Sequence, residues 1–112
     1  LTSISIIDQS KSGLGYVLKG FSKEVTGYIT GSTDVFSDVQ IESTKEFTCG
    51  SYKTIENVVL VTEKTTEMKM AICHLSIETD SDYVQFIVMS TESNKDKVIS
   101  YAEGIGATLT AL

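Results

Sequence analysis

The sequence predicts an α+β fold. Residues 1–112 read as a single α+β domain in which an antiparallel sheet of four to five strands (a meander over 39–91) packs with two amphipathic helices, at about 14–30 and 94–109. Three observations carry this. Apolar runs between Ile55 and Ser90 are joined by short polar turns, which makes hairpins rather than crossover units. A segment on either side of the meander switches to the 3.6-residue period of a helix. The runs Met68–Ile77 and Tyr83–Ser90 are apolar at consecutive positions, so both of their faces need a cover.

Thr2–Ile7 sets Ser3 and Ser5 against Ile4 and Ile6 and reads as a short strand, with Asp8–Gly13 as a turn cluster. From Leu14 the period changes. Leu14, Val17, Leu18, Phe21, Val25, Tyr28 and Ile29 fall on one helical face, with Ser12 as expected N-cap and Gly31 as the C-terminal breaker. Gly13, Gly20 and Gly27 recur every seventh residue and predict a stripe on which the helix packs closely, although each Gly costs up to ~1 kcal/mol relative to Ala.

Val39–Cys49 alternates, with Val39, Ile41, Phe47 and Cys49 expected on one face and Gln40, Glu42, Thr44, Glu46 and Thr48 on the other. A strand polar along one whole face is half exposed or lies at a sheet edge. Gly50 marks a turn into Lys53–Thr62, Glu63–Thr66 turns the chain into Met68–Ile77, and Glu78–Asp82 turns it into Tyr83–Thr91. Ser93 and Asp96 have capping-box spacing before a helical face of Val98, Tyr101, Ala102, Ile105 and Leu109.

Charge narrows the function classes. Fifteen acids face nine basic residues for a net charge of −6, and every basic residue is Lys. Without Arg the chain makes no bidentate guanidinium contact to phosphate or base edges. Nucleic acid is therefore not an expected partner, an anionic membrane surface is disfavoured, and a cationic polypeptide is electrostatically welcome. No apolar run is long enough to span a bilayer, so no membrane insertion is expected. Leu1-Thr2-Ser3 has neither Met nor a basic leader, so the localisation stays unknown.

No catalytic, cofactor or metal constellation emerges. His74 and Cys73 are adjacent on a strand, so their side chains point to opposite faces and cannot work as a pair. Cys49 and Cys73 fall two strands apart, ~10 Å, beyond disulfide reach, and read as reduced thiols. Glu78, Asp80 and Asp82 lack the central Gly and distal Glu of a calcium loop and read as an acidic turn. Met68, Met70 and Ile72 form an apolar, adaptable row and are the expected partner contacts.

The expectation is a small acidic non-enzymatic protein–protein interaction module of adaptor, chaperone-like or immunity-like kind. Its partner would be another polypeptide, or a second copy in a homodimer through the sheet. The alternative is a small apolar-ligand carrier with a cavity between sheet and helix.

Overall fold

The computed structural model describes residues 3–12 and 17–110. In chain order these form β1 (Ser3–Ser10), α1 (Leu18–Thr30), β2 (Phe36–Cys49), β3 (Tyr52–Glu63), β4 (Lys69–Glu78), β5 (Asp82–Thr91), a 3-10 turn (Glu92–Asn94) and α2 (Lys95–Thr110). The sheet has five antiparallel strands in the order β1-β5-β4-β3-β2. The meander β2 to β5 is the predicted one, and β1 joins its far edge. Because β1 and β2 occupy opposite edges, the chain between them crosses a whole face of the sheet, and α1 is that crossing.

The two helices lie on opposite faces, which answers the demand of the doubly apolar strands. Under α1, Leu18 and Phe21 pack with Ile55 and Tyr83, and Ile29 packs near Val59, Val61, Met70 and Ile72. Under α2, Val98 and Ala102 pack on Val58, Cys73, Leu75, Ile77, Phe86 and Val88. The central strand β4 is buried at every residue from Met70 to Ile77. Phe21 also stacks on Tyr83, with ring centroids 4.3 Å apart, and ties α1 to β5.

Several local expectations are corrected. β1 runs on to Ser10 through the predicted turn. α1 begins at Leu18 with Val17 as its cap, and no side chain caps it; Ser12 is in a turn instead. Leu14, Gly15 and Tyr16 of the predicted helix, and Gly13 of the glycine stripe, lie outside the described residues. Tyr28 is exposed, and its place on the buried face is taken by Ser22 and Thr26. A Cβ at Gly27 would meet nothing within 4 Å, so that position opens a pocket rather than a close contact.

β2 breaks its own alternation. Register shifts fall between Ser37 and Gln40 and between Ile41 and Ser43, with Asp38 at φ 50°. An extra residue in a strand turns the following side chains to the other face. Ile41 therefore joins the α1 side opposite Val59, while Phe47 and Cys49 join the α2 core. Cys49 pairs with Tyr52, so Gly50 (φ 61°) is the first residue of a two-residue hairpin loop, where glycine is the residue that fits.

α2 opens through the 3-10 turn, not through a capping box. Ser93 Oγ pairs with Thr91 Oγ1 (3.1 Å), and Asn94 Nδ2 donates to Ser90 Oγ and Thr91 Oγ1. Tyr101, expected on the buried face, is 58% exposed, and Gly106 lies there instead. The side chain of Leu109 lies outside the described residues. Among those residues no helix is long and apolar enough to cross a membrane.

Candidate interaction surface

The interior polar groups are spread over both faces of the sheet. On the α1 side Asn57, a polar residue within an apolar strand, is the hub. Its Nδ2 donates to Ser22 Oγ (2.9 Å) and Thr26 Oγ1 (3.1 Å), and its Oδ1 accepts from Thr44 Oγ1 (2.7 Å). Beside this hub lies an open cavity of about 250 Å³, bordered by Lys19, Lys23, Gly27, Ile41 and Glu46. That is less than the roughly 300 Å³ at which ligand pockets usually begin.

His74 is fully buried on the same face, with Nε2 3.0 Å from Gln85 Oε1. The amide oxygen only accepts, so Nε2 carries the proton, and Nδ1 is left without a partner. Burial holds the imidazole below its usual pKa, the Gln85 bond opposing this, so it is neutral. Its neighbour Cys73 points to the α2 side, where burial first, and nearby acids second, push its thiol pKa up. Neither group is poised as a nucleophile or base.

The α2 side holds one buried acid, Glu56. Burial and a hydrogen bond to Glu103 raise its pKa to about 7. Glu103 is the acceptor of that proton and is held below the ordinary carboxylate range by that bond and by Lys45, 3.0 Å away. Lys45 Nζ also lies 3.8 Å from Glu56, and one Glu56 oxygen has no hydrogen-bond partner. Cys49 and Cys73 are free and buried. No three His, Cys, Asp or Glu side chains gather as a metal would require among the described residues.

The Met68, Met70 and Ile72 row is split by the fold. Met68 precedes β4 and is 40% exposed, whereas Met70 and Ile72 are buried in the cluster that packs near Ile29 of α1. At the acidic turn Glu78 is paired with Lys11 at 3.0 Å, and Thr79 and Asp82 bond each other across the hairpin.

The surface that stands out is β1. All eight of its residues are exposed, and Ile4, Ile6 and Ile7 keep 49%, 56% and 44% of their surface in water. β1 is an edge strand that packs chiefly on β5, because α1 lies mainly over β3 and β4 and α2 over β4 and β5. On the α2 side Ile6 borders a groove with Phe86, Tyr101, Gly104 and Ile105.

The other edge, β2, is guarded. Two bulges distort it, and Lys95–Glu42 (2.7 Å) and Lys45–Glu103 (3.0 Å) strap α2 to it. Bulges and charges are the usual protections of an open edge. β1 has no bulge against β5, no Lys within the strand, and one charge, Asp8. The sequence showed the Ser3–Ile6 alternation but not that β1 would take an edge. The adjacent Ile6 and Ile7, apolar on both faces outside the meander, were the available signal.

No family model matches the chain, and no curated protein matches it either. Among solved structures it resembles PA94 from Pseudomonas aeruginosa, a protein of unknown function provisionally called a regulator. The TM-score is 0.66 at 8% identity, over 96% of this chain and 70% of that one. At that identity the likeness is one of fold alone.

Proposed function

We propose that the chain is a small acidic protein–protein interaction module that acts without catalysis and receives its partner at the β1 edge. The observation that carries this is the contrast between a guarded β2 and an unguarded, isoleucine-bearing β1. An open edge offers unpaired backbone N–H and C=O groups to an extended segment, and alternate side-chain positions give selectivity. The net charge of −6 adds long-range attraction for cationic partners. The test is selection of a random peptide library on the purified chain. Extended binders whose binding Ile6→Lys abolishes are expected; binders indifferent to that change would sink the proposal.

A second reading, the small apolar-ligand carrier, has one observation in its favour. The groove between β1 and α2, about 460 Å³, is bordered by Ile6, Tyr101 and Ile105 with Phe86 beneath them. Native mass spectrometry of gently purified protein separates the two readings, because a carrier retains a lipid-like adduct and an edge-binding module does not.

A further inference from the structure

We infer, resting on the β1-edge reading, that the occupant is an extended segment of another polypeptide with a basic residue followed by alternating apolar ones, added antiparallel to β1. Three observations lead there. On the α2 face of the strand, side chains run Ile4, Ile6, Asp8. Asp8 pairs with Val84 and Ser10 with Asp82, which makes Asp8 and Asp82 diagonal neighbours on one face. The hydrogen bond to Asp82 first, and the Asp82 charge beside it, hold Asp8 above its usual pKa.

The nearby cation does not relieve this acid pair. Lys11 is engaged with Glu78 at 3.0 Å and sits over the Tyr83 ring, and Tyr83 belongs to the α1 face. A Lys or Arg opposite Asp8 would supply the missing positive charge, with apolar residues opposite Ile6 and Ile4 two and four positions later. Every pairing in this sheet is antiparallel, and antiparallel pairs are slightly the more stable. The N- to C-terminal order of the partner is then basic, any, apolar, any, apolar.

A second copy of the chain fits this edge less well. Two-fold pairing keeps each face matched to itself, and the registers of fullest overlap are centred on Ile6 or Ile7. These set Asp8 opposite Ile4 or Ile6 of the other copy, leaving both acid pairs without a cation.

The experiment is a titration of the full chain, read by backbone amide NMR. The probes are Thr-Lys-Thr-Val-Thr-Val-Thr, the same peptide with Glu for Lys, and the reversed Thr-Val-Thr-Val-Thr-Lys-Thr, each with blocked ends. The Lys-first peptide is expected to shift Ser3–Ser10 amides and to bind roughly fivefold or more tightly than the Glu peptide. Asp8→Lys is expected to invert that preference. Equal binding of all three at β1 overturns the basic-partner inference and leaves the edge reading standing. Preference for the reversed peptide overturns the antiparallel order. Absence of β1 shifts with every peptide overturns the edge reading itself, and β1 shifts on raising protein concentration alone overturn it in favour of a second copy.

Discussion

At the scale of single residues, two buried titratable groups tilt stability in opposite directions. The folded-state pKa of Glu56, about 7, lies above the usual glutamate value of ~4.3, so folding holds a proton that the unfolded chain has released. Its stabilising contribution is full below pH ~4.3 and is lost as pH rises toward 7. His74 is shifted below the usual ~6.5, so its contribution is present above that pH and is lost as pH falls. The slopes oppose each other as pH falls below ~6.5, where His74 begins to lose its contribution while Glu56 is regaining its own. Denaturant midpoints of Glu56→Gln are expected to climb with pH across this window, and those of His74→Gln to decline; a Glu56→Gln profile parallel to the parent's would remove the acid pair from the account. Glycines give a second contrast. A Cβ at Gly106 would come 3.1 Å from Leu75 Cδ1 and 3.3 Å from Cys49 Sγ, both held in the core, whereas one at Gly104 meets nothing within 4 Å. Gly106→Ala is expected to destabilise by about 1–3 kcal/mol through overpacking. Gly104→Ala should stabilise by about 0.5–1 kcal/mol through helix propensity, and thermal melts of the two variants check the pair.

At the scale of elements, the buried face of α1 is held in part by hydrogen bonds, whereas α2 sits on an apolar core with its ion pairs to Glu42 and Lys45 at the margin. The buried face of α1 includes Ser22 and Thr26, both bonded to Asn57, and Asn57 also receives Thr44 of β2. Asn57→Ala removes three hydrogen bonds at roughly 1 kcal/mol each and leaves buried hydroxyls without that partner. Amide exchange should accelerate along Leu18–Thr30 while α2 keeps its protection; uniform acceleration of both helices would show that α1 does not open alone. The elements were largely legible from periodicity, since all five strands and both helices were expected. Their ends were not. The β2 bulges, the 3-10 entry to α2 and the loss of Tyr28 and Tyr101 to solvent depend on what each element meets in space.

At the scale of the whole molecule, one helix on each face satisfies the strands that are apolar on both sides, and among the described residues β1 is the apolar strand left exposed. The fold therefore does not depend on the exposed face of β1. Ile6→Lys is expected to stay within about 0.5 kcal/mol of the parent in a thermal melt, because Ile6 is 56% exposed. A cooperative unfolding transition displaced by several degrees would mean that Ile6 serves the core rather than a partner.

The sequence by itself determined the α+β class, the β2–β5 meander, that the polar-faced β2 is either half exposed or at an edge, and the need to cover Met68–Ser90 on both sides. These follow from local patterning, which a chain carries wherever it folds. Tertiary structure alone decided that the helices take opposite faces, that Met70 and Ile72 pass under α1 while Met68 stays out, and that β1 closes against β5 with no described strand on its outer edge. Pairing partners and helix sides are long-range choices, set by which apolar faces meet, and hydropathy along the chain does not encode distance across the sheet. The candidate surface was for that reason the least legible part: Ile4, Ile6 and Ile7 read only as positions of a short strand until the edge they lie on is known.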